Sequence, residues 1–272
     1  MKKITQLKNI KNKTVIVRVD FNVAMSKGKI LDDTKIRHSL KTINYLLKNK
    51  ARVILLSHLG RPEGKVVKSL SLEPIAKHFS KLIRHKVNFV KTIEQTKASQ
   101  SDLILLENIR FFPREHLNCK RWAKELAKMG EYYVFEAFAS YRNESSVNAI
   151  ADYLPSYGGF RFLEEVEHLK PLIKKVKGGV LILGGAKVST KMTIIQNLIN
   201  KYDFVLLGGV IANTFFKAFD FEIGKSTYDQ KLVATCRKLT SPKILLPIDV
   251  IVRSKSGKKT KPVNEVEKSD YI

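Results

Sequence analysis

Short, continuous apolar runs punctuate the chain between longer amphipathic stretches: TVIVRVDF, ARVILLSH, VNFV, DLILLENIRF and YYVFEAF, then GVLILGG, DFVLLGG and KILLPIDVIV. Runs without polar alternation suit strands covered by helices on both faces, and their interleaving with helical segments predicts a parallel α/β architecture. In DDTKIRHSLKTINYLLKNK the apolar positions Ile36, Leu40, Ile43 and Leu47 form one helical stripe; Asp33 or Thr34 is placed to cap it, and Arg37 stands off the stripe in the first turn. FLEEVEHLKPLIKKV follows the loop LPSYGG and contains Pro171, which should kink or interrupt a helix because it has no amide hydrogen to donate. This segment is expected to connect two lobes, with residues 1–158 in the first, 159–177 in the connecting helix and 178–272 in the second.

The strand ends fall into two chemical sets. The first half supplies Arg18, Asp20 and Asn22, then His58 and Arg61, then Glu107, Asn108 and Arg110, then Glu136 and Arg142. The second half supplies GGAK from Gly184 to Lys187, GGV from Gly208 to Val210, and PID from Pro247 to Asp249. Ligands of open parallel sheets bind outside the carboxyl ends of the strands, so each set is expected to line one crevice. A lone arginine after a strand is usually a surface residue. Arg61, Arg110 and Arg142 converging with Arg37 need an anion to offset their repulsion, which points to a phosphorylated, carboxylated small molecule. Asp20 and Asn22 suit hydrogen bonds to its hydroxyls, or serve simply as turn formers.

In GGAKVSTK the spacing of a Walker loop is absent, but Gly184 and Gly185 permit close backbone approach, Ser189 or Thr190 is placed to cap a helix, and Lys187 and Lys191 add charge at its mouth. Gly208 and Gly209 leave room for a flat ring, although paired glycines after a strand are more often plain turn residues.

Composition narrows this picture. The 272 residues carry 50 Lys and Arg against 25 Asp and Glu, a net charge of +25, which favours polyanions and phosphorylated ligands alike. The basic residues are scattered through runs such as KNIKNK, KKVK and KSGKKTK, with no RGG tract, zinc-finger spacing or aromatic-interleaved pattern, so most read as solvated surface and nucleic acid is not expected as the partner. Cys119 and Cys236 stand alone and the histidines occur singly, His38 and His168 on helix faces, so no metal site is expected. With no apolar run near the roughly 18 residues of a membrane span, no membrane partner and a cytoplasmic location are expected.

The segments VRVDFNV, DDTKIR, LLSHLGRP, LLENIRF, the weaker EAFASYR, GGAKVSTK, LLGGVIANTF, EIGKS and LLPIDVIV, in this order, resemble the phosphoglycerate kinase family. The resemblance implies two Rossmann-like parallel-sheet lobes and reversible phosphoryl transfer between 1,3-bisphosphoglycerate and ADP, giving 3-phosphoglycerate and ATP, with Mg as the nucleotide's metal. It implies glycerate binding by Asp20, Phe21, Asn22, Arg37, His58, Leu59, Gly60, Arg61, Arg110 and Arg142, with Arg37 nearest the moving phosphoryl group. Lys187 and Lys191 would clamp phosphates, and Gly185, Gly208 and Gly209 would shape the nucleotide pocket. Lobe closure would bring the substrates together and expel water.

Two departures stand out. The family's D-A-F-G-T-A-H-R segment appears as EAFASYR, one residue shorter, with Tyr141 at a histidine position and Glu144 at that of a second histidine. The family's remaining nucleotide-lobe segments, including the aspartate that holds Mg, have no counterpart, so the second lobe is expected to be incomplete, with about three strands. Weak or absent turnover by this chain alone is expected, unless a separate chain supplies the missing C-terminal part. Another class stays open: a non-catalytic protein that uses the basic crevice to hold RNA or another polyanion, with affinity falling steeply with salt. A fragment that folds poorly and does nothing ranks below the kinase.

Overall fold

The computed structural model describes residues 2–174, 177–254 and 257–272. Positions 175–176 of the expected connector and 255–256 of the KSGKKTK run lie outside the described residues. The chain divides into two compact units, Met1–Glu167 and His168–Ile272. Among the described residues no helix is long and apolar enough to cross a membrane.

The first unit is built around a seven-stranded sheet: β1 Lys2–Lys3, β2 Thr14–Arg18, β3 Arg52–Leu56, β4 Asn88–Val90, β5 Leu103–Leu106, β6 Tyr132–Phe135 and β7 Ser156–Gly158, with Met25–Ser26 and Lys29–Ile30 forming a separate antiparallel pair. The order in the sheet is β1-β7-β6-β2-β3-β5-β4, with every neighbouring pair parallel. The apolar runs become central strands because both sheet faces are covered. Val15, Val17, Val53 and Leu55 pack into one core with Ile43, Leu46 and Phe79, whereas Ile16, Ile54, Ile104 and Tyr133 pack on the other side with Trp122 and Leu126.

The chain departs from β2 first toward β3 and later returns to its opposite side through β6, which makes β2 the point where strand order reverses. Arg18 pairs with both Leu56 and Phe135, so β2, β3 and β6 end at one level. A crevice at such a reversal is where open α/β sheets place ligands.

The stripe through Ile36, Ile43 and Leu47 forms two helices, Thr34–His38 and Leu40–Lys48. They part at Ser39, whose hydroxyl donates to the Ile36 carbonyl and competes with the helical ladder. Neither expected cap acts as expected. Asp33 occupies the N-cap position without capping, because its carboxylate accepts from Arg37 and pairs with His78, while Asp32 accepts from the Thr34 amide and hydroxyl. Pro171 does interrupt its helix: Phe160–Leu169 is α-helical and Lys170–Ile173 continues as a 3-10 turn.

In the second unit β8 Val180–Leu183, β9 Phe204–Leu207 and β10 Ile244–Leu245 form a three-stranded parallel sheet, in that order. Leu181, Leu183, Val205, Leu207 and Ile244 face helices Val188–Leu198 and Gly209–Ala218. The other face carries Val180, Ile182, Phe204 and Leu245, all exposed, with Ile182 at 74%.

KILLPIDVIV does not form one strand. β10 stops before Pro247, which cannot donate to a ladder, and β11 Asp249–Ser254 then pairs antiparallel with β12 Gly257–Pro262. Asp249 therefore opens a hairpin instead of ending a parallel strand beside the glycine turns.

Candidate functional site

Four parallel strands of the first unit deliver polar groups to one sheet edge. Arg18, the last residue of β2, is fully buried. Its Nε donates to Ser146 Oγ at 3.0 Å, Nη1 to the Val19 carbonyl at 2.8 Å, and Nη2 reaches His58 Nδ1 at 3.1 Å. A guanidinium can only donate, so Nδ1 is the acceptor and His58 carries its proton on Nε2. Burial pushes His58 far below the ordinary histidine range, and the positive charges of Arg18 and Arg110 push it further down. His58 is therefore a neutral donor over the whole physiological range.

Arg110 arrives from the short 3-10 turn Ile109–Phe111 after β5, begun by Asn108, whose Oδ1 accepts from the Arg110 amide. Asn108 Nδ2 donates to the Leu59 and Leu70 carbonyls, tying this turn to the loop after β3. Arg110 Nη1 donates to the Gly60 carbonyl at 2.9 Å. Gly60 has φ +65°, and a Cβ there would lie 2.8 Å from Leu70 Cδ2, so this loop requires glycine. Asn22 holds the same loop through Oδ1, which accepts from the Gly60 amide at 2.9 Å.

Arg110, exposed Arg61 and exposed Arg142 line a cavity of about 440 Å³ with His116, Glu63 and Glu144. A second cavity of about 220 Å³ is lined by Asp20, Lys35, His38 and Glu136, among others. The structure thus brings Asp20, His58, Arg61, Arg110 and Arg142 to one edge of the sheet. Phe21 and Leu59 are instead core side chains, and Asn22 and Gly60 shape the loop.

Arg37 is not brought to this edge. Its side chain is 57% exposed and forks onto Asp33, with Nε–Oδ1 at 2.6 Å and Nη2–Oδ2 at 3.0 Å. Its hydrogen bonds, with those of His78, hold the Asp33 carboxyl below the usual carboxylate range. From the same helix it is Lys35 that faces the crevice, its Nζ 3.1 Å from Asp20 Oδ2. In DDTKIR both residues flank buried Ile36, and periodicity alone does not tell which flank faces the strand ends.

Glu136, after β6, is buried and accepts from Thr42 Oγ1 and from the Arg161 and Phe162 amides at the start of helix Phe160–Leu169. Burial pushes its pKa up to about 7 from 4.5 despite those bonds, and burial likewise lifts Glu115 to about 6. A raised carboxyl pKa leaves its stabilising share intact below about pH 4.5 and removes it as pH rises through the folded value. For Glu136 that share is at most about 3 kcal/mol. Melting temperature is therefore expected to fall from pH 5 to pH 8, and to fall less in Glu136→Gln; parallel slopes for the two proteins would place the ionisation elsewhere.

In the second unit β8 and β9 end in glycine turns. Gly185 has φ +115° and Gly209 φ +58°, and a Cβ on Gly209 would lie 3.2 Å from the Gly185 amide nitrogen, so the turns touch through bare backbone. A Cβ on Gly185 would lie 4.0 Å from Lys191 Nζ, which places that ammonium beside the turn. Exposed Lys187 is the N-cap of helix Val188–Leu198, so Ser189 and Thr190 lie inside the helix, Thr190 donating back to the Lys187 carbonyl. Among the described residues no cluster of three or more His, Cys, Asp or Glu could hold a metal ion.

The family model for phosphoglycerate kinase matches residues 4–272. The chain belongs to the phosphoglycerate kinase family. It is 42% identical over 258 residues to the phosphoglycerate kinase of Moorella thermoacetica, covering 89% of this chain and 66% of the relative. For that of Herpetosiphon aurantiacus the identity is 43% over 256 residues, covering 88% and 65%. The chain therefore spans slightly less than two thirds of the length of these curated relatives. The Coxiella burnetii phosphoglycerate kinase structure superposes with a TM-score of 0.85 at 36% identity, covering 99% of this chain and 73% of that one. The Pyrococcus horikoshii enzyme gives 0.80 at 29%, covering 98% and 72%. The family's α/β fold is thus shared across both units.

Proposed function

We propose that the first unit binds 3-phosphoglycerate at the edge formed by Asp20, Lys35, His58, Arg61, Arg110 and Arg142. The observation that carries this reading is the delivery of several cations and a neutral histidine donor to the reversal point of a parallel sheet, in a chain of this family. Arg61, Arg110 and Arg142 would hold phosphate or carboxylate oxygens through charge-assisted bonds. Asp20, already paired with Lys35, would accept from a substrate hydroxyl.

For the second unit we propose a nucleotide site at Gly185, Gly208 and Gly209, with Lys187 and Lys191 against the phosphates of ADP or ATP. The chemistry that follows is reversible phosphoryl transfer between 1,3-bisphosphoglycerate and ADP, in which positioning and charge neutralisation do most of the work. Lys35, not Arg37, is the first-unit cation assigned to the moving group. Mg would enter with the nucleotide and help neutralise its phosphates, since among the described residues no cluster of three or more His, Cys, Asp or Glu could hold it. The exposed face of the β8–β10 sheet is assigned to whatever covers it, the family's further length or a separate chain that supplies it.

Calorimetric titration with 3-phosphoglycerate tests the first assignment. Wild type is expected to bind saturably, Lys35→Ala to bind roughly tenfold more weakly, as for loss of one charged hydrogen bond, and Arg37→Ala to match wild type. Weakening by Arg37→Ala alone would return the role to Arg37.

A further inference from the structure

Glu144 stands where an anionic ligand would. Its side chain is 5% exposed, and its Oε1 accepts from Arg110 Nη2 at 2.7 Å and Nε at 3.2 Å. His116 Nδ1 lies 3.3 Å from the same oxygen. Oε2 is 3.8 Å from Arg18 Nη2 and, though buried, has no hydrogen-bond partner. The residue is fixed in place by a turn, with its amide donating to the Arg142 carbonyl and its carbonyl accepting from the Val147 and Asn148 amides. It also lines the cavity that carries Arg61, Arg110 and Arg142.

The other buried carboxylate close by is already engaged. Glu115 accepts from the Ser146 amide and hydroxyl. Glu144 differs from it in being half-satisfied, one oxygen taking two bonds from the Arg110 fork and the other left without any. Buried cations such as Arg18 and Arg110 are strongly destabilising unless paired. A carboxylate from the chain itself solves that problem, but it occupies the donors that an external phosphate or carboxylate would use.

We propose that Glu144 is a built-in counter-anion in the anion seat of Arg110 and Arg18, and that it sets how tightly this edge holds a ligand's phosphate or carboxylate group. An incoming anion competes with the Glu144 carboxylate and is repelled by it. The residue thereby acts as a specificity element within the site, and the biological identity of the ligand, though not the competition, rests on the reading given under Proposed function.

Inorganic sulfate is the probe, because it is a dianion at neutral pH and tests the seat without any assumption about glycerate. Sulfate affinity is measured by calorimetry at constant ionic strength, with thermal melts in parallel, for wild type, Glu144→Gln and the double variant Glu144→Gln/Arg110→Gln. The expected result is at least a tenfold tighter sulfate complex in E144Q than in wild type, lost again in the double variant. Affinities equal within twofold, or a gain that survives removal of Arg110, would overturn the proposal. If E144Q folds only with sulfate present, that dependence supports it. If E144Q does not fold at any sulfate concentration, Glu144→Asp, which keeps the charge but withdraws it by one methylene, must show an intermediate gain, and no gain there overturns the proposal. Titration of the same proteins with 3-phosphoglycerate separates the two readings. A sulfate gain without glycerate binding leaves Glu144 as the counter-anion and removes the substrate. Equal glycerate binding with equal sulfate affinity does the reverse.

Discussion

In urea, Arg18→Met is expected to cost the first unit about 3–5 kcal/mol, the range for removing one partner of a buried charge network. The methionine retains the volume and the apolar contacts of the stem, so the loss isolates the guanidinium. Three groups lose a donor at once: Ser146 Oγ, His58 Nδ1 and the Val19 carbonyl. Glu144 Oε2 also loses the nearby positive charge that offsets its burial. His58 would no longer have its tautomer fixed by a neighbour. A loss below about 1 kcal/mol would mean that the network is neutral overall and that apolar packing alone holds this edge.

The second large effect concerns the outer face of β8–β10. Parallel sheets are found with both faces covered, and here Val180, Ile182, Phe204 and Leu245 leave one face of three paired strands apolar and exposed. The 272-residue chain is therefore expected to self-associate through this face at micromolar concentration. Ile182→Thr/Phe204→Thr should shift it toward monomer in light scattering while leaving the inner core of Val205, Leu207 and Phe215 intact. Both substitutions keep strand propensity, since threonine is β-branched. A wild-type chain that is monodisperse and monomeric, with no change in the variant, would sink the prediction.

The central strands of the first unit were legible because burial on both faces leaves uninterrupted apolar runs, and β8 and β9 of the second carry the same kind of run although one of their faces is exposed. β1 and β7 were not: they are two and three residues long, and Ser156–Gly158 sits in LPSYGG, which reads as a loop. Their pairing is a tertiary fact that no local pattern records. KILLPIDVIV read as one strand because its apolar residues outweighed Pro247, whose missing amide hydrogen divides it.

At the site, strand order explains what could be seen. Residues that directly follow a strand, such as His58 and Asp20, are placed by the strand itself. Lys35 and Arg37 sit on a helix, where which flank meets the crevice depends on how Ile36 is buried. Arg18 carried the plainest signal of all, a charged residue ending an apolar run, because only a partner network can keep a guanidinium at zero exposure. The pairing of Glu144 with Arg110 joins elements that share no local pattern.

The strand order of the first unit also constrains its history during synthesis. β2 leaves the ribosome early, but one of its two neighbours, β6, begins only at Tyr132, and β1 has no partner until Ser156–Gly158 is made. Non-local pairing of this kind is slow, and until it happens the apolar edge of β2 is open to other chains. Arg18, at the end of that edge, waits for Ser146 and Glu144 for most of the unit's translation. A nascent chain arrested before β6 should therefore be protease-sensitive and chaperone-bound, and the basic edge should come into existence in one late step.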